Sequence, residues 1–75
     1  MTAVDVVFRY GTPPDERTAL AIARTREVYG MRKVTFDEHG STVRVEYDAT
    51  RLDSNEVANL LRASGLDLRE RVQLV

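Results

Sequence analysis

Residues 33–47, KVTFDEHGSTVRVEY, contain two short runs in which apolar and polar side chains alternate. The apolar positions are Val34 and Phe36 in the first run and Val43, Val45 and Tyr47 in the second. Alternation of period two with β-branched and aromatic residues is typical of strands that have one buried face. The segment between the runs, DEHGS, has the composition of a turn. The stretch therefore predicts a β-hairpin in the middle of the chain.

A helix is predicted before this hairpin, from about Pro13 to Tyr29. Its apolar side is a narrow stripe with helical spacing that consists of Ala21, Ile22, Thr25, Val28 and Tyr29. Proline suits the first turn of a helix, and Asp15 and Glu16 place negative charge at the positive end of the helix dipole. Gly30 is expected to end the helix.

A second helix is predicted after the hairpin, and its start signal is the clearest in the chain. Asp53 is expected to cap it, because Glu56 follows three residues later in the capping-box position. Leu52 before the cap and Val57 four residues after it fit a hydrophobic staple. Gly65 is expected to end this helix.

The two ends of the chain predict the remaining strands. Apolar residues alternate at Val4, Val6, Phe8 and Tyr10 in the first strand and at Val72 and Leu74 in the last. The element order is then β-α-β-β-α-β, which predicts a ferredoxin-like α+β sandwich as a single domain over residues 1–75. Such a domain has a four-stranded antiparallel sheet with both helices on one face.

The alternation also predicts which side chains face the helices. The apolar positions, including Val72 and Leu74, are expected to face them, whereas the opposite parity forms an open face toward solvent. The residues predicted on the open face are Asp5, Val7, Arg9, Lys33, Thr35, Arg44, Glu46, Arg71 and Gln73. The open face therefore lacks the exposed aromatic residues that RNA-binding sheets use for base stacking.

Composition excludes several classes of function. The chain has 75 residues, a formal net charge of −1 and no cysteine, so it has neither disulfides nor thiolate metal sites. The balanced charge argues against nucleic acid or anionic lipid as the partner. No apolar run approaches the roughly 20 residues that a membrane span needs, and the N-terminus lacks a signal pattern. We therefore expect a cytoplasmic protein with no membrane association.

Four short motifs stand in one register without gaps from Gly11 to Asp67: Gly30-Met31, Tyr47-Asp48, Glu56-Val57 and Gly65-Leu66-Asp67. In this spacing they resemble the motifs of heavy-metal-associated domains, the ferredoxin-like modules of copper chaperones and metal-transporting ATPases. The resemblance implies the ferredoxin-like fold. In that family a Gly-Met-x-Cys-x-x-Cys loop before the first helix binds Cu(I) or Zn(II) through two thiolates.

The loop of this chain departs from the family pattern at both cysteine positions. In the same register, Pro14 and Arg17 stand where the two cysteines belong. Proline offers no donor atom, and a guanidinium is always cationic and repels a metal ion. We therefore expect a degenerate loop, which consists of Gly11, Thr12, Pro14 and Arg17, with no metal and no cofactor.

Other chemistry has weaker support in the sequence. Asp15 with Glu16, or His39 with Asp37 and Glu38, offer oxygen and imidazole ligands for a metal ion. An acylphosphatase-like site would need an arginine and an asparagine, for which Arg9 and Asn55 or Asn59 are the candidates. A phosphate-cradling glycine-rich loop is missing, and no nucleophile has a visible base. We therefore expect that the protein is not an enzyme.

The hypothesis that follows is a small protein-interaction domain whose contact surfaces are the degenerate loop and the open face. The residues proposed for the interface are Val7, Arg9, Arg44, Glu46, Arg71 and Val75, with Val7 and Val75 as the apolar centre. The partner is an unidentified protein or a second copy in a weak homo-oligomer. The alternatives are a metal-binding or transport-related protein that uses carboxylate and histidine ligands, and a small ligand-binding regulator.

Overall fold

A computed structural model describes the backbone of residues 3–72 and the side chains of residues 3–26 and 30–72. The elements are β1 (Ala3–Tyr10), α1 (Glu16–Tyr29), β2 (Met31–Asp37), β3 (Thr42–Asp48), α2 (Ser54–Ala63) and β4 (Leu68–Val72). The four strands form one antiparallel sheet in the order β2-β3-β1-β4. The predicted ferredoxin-like α+β fold is confirmed.

The core lies between the sheet and the two helices. Its residues are Val6, Phe8, Tyr10, Ile22, Met31, Val43, Val45, Tyr47, Leu52, Val57, Ala58, Leu61, Leu66 and Leu68. Val34 and Phe36 of β2 are half-buried and pack against this cluster. The predicted helix-facing positions of β1, β2 and β3 are therefore confirmed. The two helices meet where the hydroxyls of Thr25 and Ser64 lie 3.4 Å apart.

Helix α1 begins later than the sequence predicts. It starts at Glu16, and Asp15 is its N-cap, with Oδ1 accepting a 2.8 Å hydrogen bond from the Thr18 N–H. The prediction that the helix starts near Pro13 is wrong, because a proline disfavours helical geometry in the residue before it. The predicted end is confirmed, since Gly30 caps α1 in the left-handed conformation at φ 88°.

Helix α2 has the predicted capping box. Asp53 Oδ1 accepts a hydrogen bond from the Glu56 N–H at 2.8 Å, and Glu56 Oε1 accepts one from the Asp53 N–H at 3.3 Å. Leu52 and Val57, the residues of the predicted staple, are both buried. Gly65 follows the helix with a φ of 103°, so the predicted stop is also confirmed.

Strand β4 differs most from its prediction. Tyr10 pairs with Leu68 and Phe8 pairs with Arg71, so β4 has one residue more than β1 between these pairs. Because of this β-bulge, the side chains that follow it lie on the face opposite to the one that simple alternation predicts. Val72 consequently lies opposite Val7 on the open face.

Two predictions about β4 are therefore wrong. Arg71 lies on the helix side, where its Nη1 donates to the Ser54 Oγ at 3.3 Å, instead of on the open face. Val72 lies on the open face instead of facing the helices. The predictions for Gln73, Leu74 and Val75 fall outside the described residues.

None of the helices in the described part of the chain has the length and apolar character needed to cross a membrane.

Candidate functional site

The degenerate loop is fixed by one carboxylate from the other end of the chain. The Gly11 N–H donates to the backbone carbonyl of Asp67 at 2.9 Å. Asp67 Oδ2 accepts from the Thr12 N–H at 3.0 Å and lies 3.3 Å from the Thr12 hydroxyl. The same oxygen forms a 3.1 Å ion pair with Arg69. We call these contacts of Asp67 with Gly11, Thr12 and Arg69 the Asp67 clamp.

The Asp67 clamp explains the glycine at position 11. A Cβ on Gly11 would overlap with Asp67 Oδ2 and would lie 2.7 Å from Arg69 Nε. The requirement is one of close approach, since any side chain at this position would displace the clamp. Gly11 therefore lets the degenerate loop lie close to Asp67 and to Arg69 of β4.

Pro14 and Arg17, which the predicted register aligns with the two cysteines of heavy-metal-associated domains, lie at the start of α1. Pro14 is half-buried, and Arg17 is exposed in the first turn. The hydrogen bond from the Thr18 N–H lowers the pKa of the Asp15 carboxyl below its ordinary value, and the positive charge of Arg17 contributes. Asp15 therefore serves as a helix cap whose carboxylate is already engaged.

The structure does not assemble the alternative metal ligands. Among the side chains it describes, no three His, Cys, Asp or Glu residues form a group that fits a metal ion. Asp37 Oδ1 instead accepts from the backbone N–H groups of His39 at 3.1 Å and Gly40 at 3.3 Å. This carboxylate closes the hairpin turn, as a short polar side chain commonly does.

Asp48 is a buried carboxylate that the sequence analysis did not single out. It is 8% exposed, and its Oδ1 accepts from the Thr50 hydroxyl at 2.7 Å and from the Thr50 N–H at 3.0 Å. The Thr50 hydroxyl is the main cause of a lowered Asp48 pKa, and the charge of Arg51 adds to it. Through these hydrogen bonds, Asp48 stabilises the turn that leads into α2.

The open face does not present the predicted apolar centre. Val7 is only 7% exposed and lies outside the core cluster, between Arg44 and Val72 in the register of the sheet. The aliphatic parts of long side chains commonly shelter a short apolar neighbour in this way. Val7 is therefore not available as an exposed contact, and Val75 lies outside the described residues.

Several charges on the open face are paired with one another. The ion pairs are Asp5–Arg44 at 3.5 Å, Arg9–Glu70 at 3.2 Å and Arg32–Glu46 at 3.8 Å. All six side chains are well exposed, so each pair contributes about 0.2–1 kcal/mol at most. The predicted interface residues Arg9, Arg44 and Glu46 do lie on this face, but each of them has a partner within it.

An apolar residue on the outward side of α1 was missed. Leu20 is 56% exposed and is the exposed large apolar residue among the side chains that the structure describes. It lines a shallow surface depression of about 600 Å³ with Asp15, Glu16, Arg17, Ala21 and Arg24. The signal in the sequence was a leucine that falls outside the buried stripe of its helix.

No protein-family model matches this sequence, and no curated protein matches it. The similarity to heavy-metal-associated domains therefore stays a prediction from the residues, because a fold alone does not identify a function.

Proposed function

We propose that this protein is a non-catalytic protein-interaction domain, similar to a heavy-metal-associated domain that has lost its thiolate metal site. Its contact surface is the outward side of the first turns of α1, which we call the α1 surface and define by Arg17, Leu20 and Arg24. The observation that carries the proposal is the exposure of Leu20 within the depression beside the degenerate loop.

The α1 surface combines an apolar centre with two cations. Arg17 and Arg24 lie three residues before and four residues after Leu20, so all three project from the same side of the helix. An arginine adds an aliphatic stem to the apolar area and a fork of donors that matches a carboxylate. The partner that fits is a protein that inserts an apolar side chain here and places carboxylates beside it.

The Asp67 clamp supports interaction over metal handling. The Asp67 carboxylate, which holds the degenerate loop, is already bound by Thr12 and Arg69, and Arg17 of the loop carries a second guanidinium. Two cations and no thiolate make an unfavourable environment for Cu(I) or Zn(II). We propose that the loop keeps the shape of a family contact surface without its ion.

The α1 surface is also a better candidate than the open face. On the open face, Val7 is buried and the described charges of Asp5, Arg9 and Arg44 are paired. A partner would have to separate these pairs before it could use them. Leu20 needs no such rearrangement, because it is exposed in the isolated chain.

A site-specific photocrosslinker tests this proposal. A benzophenone side chain replaces Leu20 in one variant and Ala63, which is exposed on α2, in a matched control. In an extract of the native cells, we expect one protein to crosslink at position 20 and not at position 63. No crosslink at position 20, or equal crosslinking at both positions, would contradict the α1 surface.

Binding to the captured protein, once purified, gives the quantitative test. Leu20→Asp should weaken this binding at least about tenfold, because a carboxylate replaces the apolar centre between two expected partner carboxylates. Asn59→Asp adds the same charge to the exposed side of α2 and should leave binding unchanged. Retention of one equivalent of Cu(I) or Zn(II) after desalting would instead favour a metal-binding protein.

A further inference from the structure

Strand β2 forms one edge of the sheet in the described part of the chain, since the order is β2-β3-β1-β4. Its pairing with β3 is regular from Lys33 to Asp37, after a bulge between Met31 and Lys33. The half-buried Val34 and Phe36 lie on the helix side of this edge. An edge strand offers a row of backbone donors and acceptors to another strand.

We propose that two copies of this chain pair through β2, antiparallel and centred on Thr35, so that their sheets join into one. The surface differs from the α1 surface, and the proposal does not rest on the proposed function. The pairing would be a two-fold, self-complementary interface, which is the commonest symmetry of soluble oligomers.

The charges along β2 select this register. Directly opposite residues lie on the same face of a sheet. The two-fold axis of an antiparallel pair must therefore pass midway between the two copies of one residue, which we call an axis at that residue. An axis at Thr35 places Lys33 opposite Asp37 of the second copy and Val34 opposite Phe36, and each of these pairs occurs twice. Opposite charges and apolar side chains are both favourable in such cross-strand pairs.

Neighbouring registers lose this complementarity. An axis at Val34 places Lys33 opposite Thr35, and an axis at Phe36 places Asp37 opposite Thr35. Parallel pairing in register would set Lys33 beside Lys33 and Asp37 beside Asp37, which repel. The sequence of the edge thus favours the closed antiparallel pair over the alternatives.

The opposite edge of the sheet resists further growth. In the described part of the chain, strand β4 has five residues, and its bulge lies between Leu68 and Arg71, where Arg69 and Glu70 carry exposed charges. Short strands, bulges and charges are the devices that keep edges from pairing. Pairing through β2 therefore predicts a dimer and not a fibre.

The flank of α1 next to β2 is compatible with a second copy. Helix α1 packs against β2, and its Thr25 hydroxyl lies 3.4 Å from Ser64 of α2. Helical spacing places Ala19 and Ala23 about 120–160° around the helix from the side that faces α2. Both alanines are exposed and small, and the exposed Arg26 on the same flank has a long side chain that can extend toward solvent, so this flank leaves room for a second copy beside β2.

Sedimentation velocity over about 10 μM to about 1 mM protein is the first test. We expect the wild type to dimerise, and Lys33→Glu and Asp37→Lys to weaken dimerisation at least about tenfold each, because every Lys33–Asp37 pair becomes repulsive. An equimolar mixture of the two variants should restore a heterodimer, since each repulsive pair is then replaced by an attractive one. A wild type that remains monomeric at about 1 mM, or a mixture that does not associate, would overturn the proposal.

Two controls separate this effect from loss of the fold. Asp37→Asn keeps the Oδ1 acceptor for the His39 and Gly40 N–H groups while it removes the charge, so it should keep the melting temperature and still weaken the dimer. Thermal unfolding by circular dichroism checks each variant. If Asp37→Asn dimerises as the wild type does, the Lys33–Asp37 pair does not hold the interface.

A disulfide tests the register directly. The chain has no cysteine, so Thr35→Cys introduces a single thiol at the proposed axis, where the two Cα atoms would be about 4.5–5.5 Å apart. This separation lies within the range that a disulfide spans. Mild oxidation should crosslink Thr35→Cys rapidly, while Glu70→Cys on the other edge should crosslink slowly. Equal rates for the two variants would contradict a specific β2 pairing.

Discussion

The two helices differ in how much of each is committed to the core. Helix α2 has ten residues, and three of them, Val57, Ala58 and Leu61, are buried. Helix α1 has fourteen residues, but the buried ones among its described side chains are Thr18 and Ile22. Among the described side chains, the shorter helix therefore contributes more fully buried apolar residues.

The start of α2 is also held by more hydrogen bonds than the start of α1. Asp53 and Glu56 exchange two hydrogen bonds at the start of α2, whereas the cap of α1 is the bond that Asp15 accepts from Thr18. Local and core contacts both specify α2, which is why its sequence signal is the clearest. The outward side of α1 is left with Leu20, a residue that the fold does not use and that we assign to contact with a partner.

The largest expected effect comes from the core side of α2. Leu61 is fully buried, so Leu61→Ala removes packed atoms and leaves a cavity. We expect a loss of about 2–5 kcal/mol in the free energy of unfolding, measured by urea denaturation. Leu61→Met keeps most of the volume and should cost less than about 1.5 kcal/mol. A small loss for the alanine variant would mean that α2 is not the anchor of the core.

The capping box of α2 predicts a moderate effect. Asp53→Ala removes the acceptor for the Glu56 N–H and should cost about 0.5–2 kcal/mol. For a domain of this size, each kcal/mol lowers the melting temperature by about 4–8 °C. Asp53→Asn retains an acceptor oxygen and serves as the control. An unchanged melting temperature in Asp53→Ala would show that the start of α2 does not need this cap.

Acid should weaken the start of α1 and the turn before α2, each through one carboxylate. The pKa values of Asp15 and Asp48 are lowered in the folded protein from the ordinary value of 3.8. Their stabilisation is therefore fully present above about pH 4 and is lost as the pH falls through the folded-state pKa values. The melting temperature of the wild type should fall more steeply with acid below about pH 4 than that of Asp15→Asn/Asp48→Asn. Parallel curves for the two proteins would contradict the lowered pKa values.

Local signals were sufficient to predict most of the fold. The hairpin, the capping box and the left-handed Gly30 each depend on a few adjacent residues, so their patterns are visible in the sequence. The face of β4 was predicted wrongly because the prediction rested on the alternation at Val72 and Leu74, which contains no information on how the strand pairs with β1. The bulge between Leu68 and Arg71 is set by that pairing, and only the folded sheet reveals it.

The candidate site was less predictable than the fold. The sequence indicates that the degenerate loop lacks thiolates, since this follows from Pro14 and Arg17 alone. The Asp67 clamp joins Thr12 to a residue 55 positions away, and a contact of such separation leaves no local pattern. The buried Val7 was missed for a similar reason, because its neighbours Arg44 and Val72 come from other strands.

The smallest expected effect on stability comes from the same substitution, leucine to alanine, at an exposed position of α1. Leu20→Ala is the same substitution as Leu61→Ala, but Leu20 is 56% exposed, so little packing is lost and alanine favours the helix. We expect the free energy of unfolding to change by no more than about 0.5 kcal/mol in urea denaturation. Arg24→Ala, on the same side of α1, should be equally neutral. If Leu20→Ala costs as much as a core substitution, Leu20 belongs to the packing of the domain. A neutral result would show that the packing of the domain does not require Leu20, as the proposed α1 surface demands.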